Sequence, residues 1–364
     1  MHRLPRYRSS IVFLASVLIA LIAGTVFLIY WLFSSSAQPG QIFETASTPG
    51  WYSLYFSDPE SPSARFYQGG PDQALAAAID GAHLSVDMAA YDLDLVSLRS
   101  ALIKAYRRGV TVRLVVESDN LEQPEFQALK TAGIPVIDDR RPGLMHDKFV
   151  VIDRLEVWTG SMNYTSNGSY RNDNNLLRIR SASLAEAFTA EFVEMFVDRH
   201  FGELSPPSEL VPTISVEGRL LEVYFAPEDD FAARLVELIE AAHQNVYFLA
   251  YAFTADDIAT AMLESVSNGV TVSGVFEATQ INPETGSEYE RLRRAGLDVR
   301  RDSNSGNMHH KVIIVDGQIV VTGSYNFSAS AQDRNDENAL VIHDPQIAAQ
   351  YLTEFERIYQ QAKP

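Results

Sequence analysis

Met308-His309-His310-Lys311-Val312-Ile313-Ile314-Val315-Asp316-Gly317, followed by Val321-Thr322-Gly323-Ser324-Tyr325-Asn326, reads H-x-K-x4-D, a short β-branched run, then G-S-x-N. The same order stands earlier as Met145-His146-Asp147-Lys148-Phe149-Val150-Val151-Ile152-Asp153 and Gly160-Ser161-Met162-Asn163. His, Lys, Asp, Gly, Ser and Asn each recur at an offset of 163 residues. One such string arises by chance; two, each with G-S-x-N at the same distance downstream, mark a duplication.

Strand side chains alternate between faces, so His146 and Lys148 share a face, as do His309 and Lys311. Each pair offers an imidazole and an ammonium to one ligand. Asp153 and Asp316 fall beyond the apolar run, where the strand should turn. Gly160-Ser161-x-Asn163 and Gly323-Ser324-x-Asn326 add a close backbone approach, a hydroxyl and an amide. A phosphodiester calls for this array: cations and neutral donors for its oxygens, a nucleophile, and an acid for the departing oxygen. Two histidines can divide the last two roles. Lysines beside the histidines compete with a cation, so no metal and no cofactor is expected.

Outward from the motifs the chain repeats itself. A helical pattern near Asp72–Ala82 precedes a strand at Leu84–Tyr91, and a helix over Leu95–Arg108 stops at Gly109. Val110–Val116 is a β-branched run of the kind buried strands show. A helical stretch over Leu184–Arg199 closes the half. The second half repeats this with a helix at Phe231–Ala242, a strand at Val246–Tyr251 and a helix at Asp256–Ser267 stopped by Gly269. Tyr91 matches Tyr251 at an offset of 160, whereas Ala132 matches Ala295 at 163, so the second half gains three residues, placed here in the loop around Gln280–Ser287. Alternating strands and helices predict an α/β fold.

In the paired motifs, and in the tails Asn172-Asp173-Asn174-Asn175 and Asn335-Asp336-Glu337-Asn338, the chain resembles the phospholipase D superfamily, whose signature is the doubled HKD motif; the likeness covers roughly residues 51–361. The resemblance implies two pseudo-symmetric halves, each a mixed β-sheet flanked by helices, with the active site at their interface within one chain. It implies that one histidine attacks phosphorus to form a phosphohistidine while the other protonates the leaving group and then activates water. Carried over residue by residue, the catalytic motifs are His146, Lys148, Asp153, His309, Lys311 and Asp316, the two aspartates in an orienting or structural role. Asn163 and Asn326, with Ser161 and Ser324 as supporting donors, would hold the phosphate or orient the groups that do. In the family a downstream acid often orients the nucleophilic histidine from the opposite half; here the two tails carry Glu337 and Asn174 at that position. If the pairing crosses the halves, Glu337 serves His146, making His146 the nucleophile and His309 the acid; pairing within one half would reverse this. Asp173 and Asp336 are alternative carboxylates.

The 364 residues are 46% hydrophobic, ample for a core, and include no cysteine. The net charge of −18 disfavours a polyanionic partner, although a basic cleft within an acidic whole keeps nucleic acid as an alternative. Residues 1–10 carry Arg3, Arg6 and Arg8 and read as a basic cytoplasmic N-terminus. Residues 11–33 hold no charge, and as a helix would span about 34 Å, enough for a bilayer core. That length exceeds the apolar region of a signal peptide, although Ser35-Ser36-Ala37 would suit cleavage. The next basic residue after Arg8 is Arg65, a bias that retains the N-terminus inside and predicts a single-pass transmembrane anchor with the catalytic part extracytoplasmic. Residues 34–50 read as a linker, 51–205 as the first half, the proline-bearing 206–218 as a second linker, and 219–361 as the second half. The expected activity is hydrolysis of a phospholipid head group. The alternatives are a nuclease of the same superfamily, a phosphatidyl transferase of cardiolipin synthase type, and a non-catalytic phosphate-binding module.

Overall fold

The duplication becomes two sheets in a computed structural model, which describes residues 50–206, 213–282, 284 and 286–363. The expected anchor at 11–33, its basic flank and nearly all of the 34–50 linker lie outside the described residues. Among the described residues no helix is long and apolar enough to cross a membrane.

The first half contains β1 (Tyr52–Phe56), β2 (Ser85–Ala90), β3 (Thr111–Val116), β4 (Val136–Asp138), β5 (Lys148–Ile152), β6 (Glu156–Gly160) and β7 (Asn175–Arg180), arranged β1-β7-β6-β5-β2-β3-β4. The second contains β8 (Thr213–Val216), β9 (Arg219–Ala226), β10 (Asn245–Ala250), β11 (Thr271–Phe276), β12 (Asp298–Arg301), β13 (Lys311–Val315), β14 (Ile319–Gly323) and β15 (Glu337–His343), arranged β12-β11-β10-β13-β14-β15-β9-β8. The two orders correspond strand for strand, with β8 added at one edge. β2 and β3 are parallel, so the chain must cross over, and the helix Val96–Arg107 makes that crossover. β5 and β13 are buried at every position, which explains their unbroken apolar runs.

The helices Ala182–Val193 and Pro345–Gln361 lie between the sheets. Phe149, Phe188 and Phe192 of the first half share one core with Val223, Ile314, Tyr351 and Phe355 of the second. A separate apolar cluster fills the outer side of each sheet. This shared inner core brings the two motif strands face to face.

Three local features differ from the sequence reading. Thr213–Val216, inside the stretch read as a linker, is strand β8, because its alternating burial pairs with β9. Tyr52–Phe56 forms an edge strand on β7, with no counterpart among the strands read from sequence. The last helix of the first half is α-helical only to Val193 and continues as a π-turn over Glu194–Asp198. The extra residues of the second half fall where the offsets place them: the 3-10 turn Ser118–Asn120 matches Ala278–Gln280, and the next helices end at Thr131 and Arg294.

Candidate active site

Each motif enters its strand beside the tail of the other half. Met145 bridges Asp336, and the His146 N–H donates to the Asp336 carbonyl at 3.0 Å. Symmetrically, Met308 bridges Asp173, and the His309 N–H donates to the Asp173 carbonyl at 2.9 Å. The tails therefore cross the interface, and the second half supplies the partner of the first histidine.

His146 Nδ1 lies 2.7 Å from Glu337 Oε2. Glu337 is held in turn by Ser324 Oγ at 2.6 Å and Asn335 Nδ2 at 3.2 Å. His309 Nδ1 faces two acceptors, the Ser161 carbonyl and Asn174 Oδ1, each at 3.0 Å. Nδ1 must then carry the proton, leaving Nε2 as the reactive atom. Asn174 is fixed by Ser161 Oγ on its oxygen and by the Gly168 carbonyl on its nitrogen. Asp173 and Asp336, the alternative carboxylates, are engaged elsewhere: Asp173 by Arg357 and Asn304, Asp336 by Arg141.

Lys148 Nζ donates to the His146 carbonyl at 2.6 Å, and Lys311 Nζ to the His309 carbonyl at 2.9 Å. Burial pushes Lys148 down to about 8; burial and then the Lys148 charge lower Lys311 as well. Both histidines are held far below their ordinary value, first by burial and then by both ammonium groups. Burial raises Glu337 to about 7, against the pull of Lys148. A bound anion would offset the charge repulsion from the two ammonium groups that adds to burial in lowering these groups.

Tyr91 and Tyr251 wall the cleft. Their rings lie 4.9 Å from His146 and 4.4 Å from His309, and 5.0 and 4.6 Å from Lys148 and Lys311. Their matched position at the strand ends, 160 residues apart, is the signal the sequence carries for them. Asn163 and Asn326 are partly exposed, and each leaves Oδ1 without a partner among the described residues. Ser161 and Ser324 are spent on Asn174 and Glu337, so they orient the orienting groups. The glycines before them are dictated by packing: at φ +148° and +151°, a Cβ on Gly160 or Gly323 would overlap the Asn175 or Asn338 carbonyl.

Asp153 and Asp316, counted among the catalytic motif residues, do not reach the cleft. Each sits just past its strand with positive φ. Asp153 accepts backbone N–H groups of His83, Leu84 and Ser85, and Asp316 those of His243, Gln244 and Asn245. Three such bonds hold each carboxyl below its usual range despite partial burial. These aspartates fasten the far ends of β2 and β10. His310 turns away from the cleft, as strand alternation requires, and meets Asn175 at 3.0 Å and Glu354 at 3.2 Å.

A family model described as "Cardiolipin synthase, PLD-like domain" matches residues 75–196 and again 235–359, one copy per half and more than half of the chain. Among curated relatives, the chain is 38% identical over 139 residues to the mitochondrial cardiolipin hydrolase of Xenopus tropicalis, covering 38% of this chain and 66% of that protein. It is 34% identical over 134 residues to a phospholipase D of Rickettsia typhi, covering 37% of this chain and 65% of that one. The chain thus spans less than two thirds of the length of these relatives. The solved phosphatidylserine synthase of Haemophilus influenzae Rd KW20 shares the fold at a TM-score of 0.65, with 17% identity, over 85% of this chain and 86% of that one. With one family match on each half and both HKD motifs meeting across a single interface, the chain belongs to the phospholipase D superfamily, in its cardiolipin synthase-type PLD-like branch.

Proposed function

We propose that this protein is a phospholipase D-type phosphodiesterase that hydrolyses the head-group ester of a phospholipid through a phosphohistidine on His146. The observation that carries the assignment of roles is the pairing of His146 with Glu337, set against that of His309 with Asn174. Only the first pair supplies a carboxylate to the positive charge that develops on an attacking imidazole. His146 Nε2 attacks phosphorus, and the P–O bond to the head group breaks. The protonated Nε2 of His309 gives its proton to the departing oxygen. His309, now neutral, takes a proton from water as that water attacks the phosphohistidine, the P–N bond breaks and His146 is released. Lys148, Lys311, Asn163 and Asn326 hold the non-bridging oxygens throughout. One chain supplies all these groups.

The lipid reading rests on the relatives named cardiolipin hydrolase and phospholipase D and on the net charge of −18, which disfavours a polyanion. The uncharged run 11–33 supports a single-pass anchor with the catalytic part outside the cytoplasm. Purified full-length chain should release head groups from phospholipid vesicles, and a parallel His146→Ala preparation should not. Cleavage of single-stranded or duplex DNA, or of RNA, with vesicles left intact would replace the lipid reading with the nuclease one. For the topology, protease added to spheroplasts should digest the catalytic part; protection there would refute it.

A further inference from the structure

We propose that Phe66 and Tyr67, flanked by Arg65 and Arg171, form a docking surface for an anionic phospholipid bilayer beside the active-site cleft. The inference adds a contact with the surface of the bilayer to the lipid reading above, on which it rests. Residues 57–70 leave the end of β1 at the cleft. Phe56 pairs with Asn175, and the Ser57 N–H donates to the carbonyl of Asn174, whose side chain holds His309. The loop then returns to the same place: the Tyr67 ring lies 5.5 Å from Tyr170, and Arg171 donates to Tyr67 Oη at 3.1 Å. Arg171 immediately precedes the tail Asn172–Asn175, and its carbonyl accepts from Asn304 in the loop that precedes His309.

Two large aromatics stand out from this anchored loop, Phe66 at 67% and Tyr67 at 50% exposure. Tyr67 is held at φ +56°, a conformation that bulky residues rarely adopt. The guanidinium of Arg65 lies 5.7 Å from the Phe66 ring and that of Arg171 lies 5.4 Å from the Tyr67 ring. An aromatic body with a cationic edge suits the lipid interface, where rings sit at head-group level and each arginine gains from anionic lipid. Of the acids in the same loop, Asp58 accepts the Glu60 N–H and Glu60 accepts from Gln361 on the C-terminal helix, whereas each ring has a guanidinium beside it. The two rings and their arginines make a local basic and aromatic spot on a chain of charge −18, and the same chain carries a 23-residue uncharged run suited to a bilayer. These two facts favour lipid over a stacked single-stranded nucleic acid.

The absence of cysteine allows a clean test on the full chain. Gln68→Cys, carrying a polarity-sensitive nitrobenzoxadiazole dye, is compared with the same dye on Leu84→Cys. Leu84 is 59% exposed and lies next to the opposite end of β2. In vesicles of phosphatidylcholine and phosphatidylglycerol, the dye at 68 should shift to the blue and be quenched by a lipid-borne quencher, while the dye at 84 should not. Identical behaviour at both positions, or a response to a single-stranded oligonucleotide and none to vesicles, overturns the proposal. Arg65→Glu combined with Phe66→Ser should lower turnover of vesicle lipid by at least about tenfold with turnover of a soluble nitrophenyl phosphodiester unchanged. Equal loss on both substrates counts against docking. A chain whose dye at 68 enters the bilayer but which hydrolyses no lipid would defeat the substrate reading and support this one.

Discussion

The two halves share one plan and differ in charge. Strand order, the glycine–serine corners and the aspartates that fasten β2 and β10 correspond at fixed offsets, yet the groups behind the histidines do not. Glu337 stands behind His146 where Asn174 stands behind His309. One layer deeper, His310 in the second half meets Glu354, which Arg357 binds at 2.7 Å, and Arg357 also binds Asp173. Arg357 and His310 hold Glu354 below its usual range in spite of its burial. The equivalent residues of the first half are Asp147, Glu191 and Glu194, all acidic. Asn338 donates to Asp147 at 2.6 Å, but among the described residues Asp147 Oδ2 has no partner. Burial raises Asp147 to about 8 and raises Glu191 far above its usual range. The two halves thus share a scaffold, and different residues at matched positions make its two faces chemically unequal.

The most severe way to break the comparison is to remove each histidine. His146→Ala should lower turnover by about 10⁴-fold or more and leave no covalent phosphoenzyme. His309→Ala should still attack a nitrophenyl phosphodiester, whose oxygen leaves without protonation, and should accumulate phosphate on His146. Mass spectrometry of acid-labile adducts decides, and phosphate on His309 in the His146→Ala chain would reverse the assignment.

Exchanging the orienting groups sharpens it. Glu337→Asn alone should cost about 10²- to 10³-fold in turnover. Combined with Asn174→Glu, it should move the adduct from His146 to His309. An adduct that stays on His146 would mean that something other than this carboxylate distinguishes the two rings.

The deeper layer predicts a pH effect on stability. The folded pKa of Asp147 lies near 8, above its unfolded value of about 4. Its contribution is therefore fully present below pH 4 and is lost as pH rises through 8. Melting temperature should fall between pH 5 and 9, and Asp147→Asn should flatten that fall by several degrees. An unchanged slope in this variant would remove Asp147 as the cause. Glu354→Gln, in the charge-balanced half, removes a carboxyl held below its usual range, which titrates below this window, and should leave the slope in place.

The smallest expected effects concern the motif aspartates. Asp153→Ala and Asp316→Ala should each cost about 1–3 kcal/mol of stability, through backbone donors left unpaired. At a temperature where both variants are folded, turnover should change by less than about threefold. A loss comparable to that of a histidine variant would return these residues to the chemistry.

Much of this was legible along the chain. Strand alternation put His and Lys on one face and His310 on the other, and the offsets bracketed the insertion between Gly269 and Ala295 because a duplicated fold preserves spacing wherever its core is preserved. β8 escaped because four residues beside prolines carry too short an alternation to stand out from a loop. The aspartates of the motif were legible as orienting or structural, but not what they hold: that depends on backbone N–H groups about seventy residues earlier. What the sequence by itself determined was the duplication, the family and the residues able to handle a phosphodiester, since these depend on residue type and spacing alone. Only the tertiary structure decided that the tails cross between halves, placing Glu337 on His146 and Asn174 on His309. That pairing is a contact over 191 and 135 residues of chain, made by the packing of two sheets on one shared core, and no local pattern encodes it.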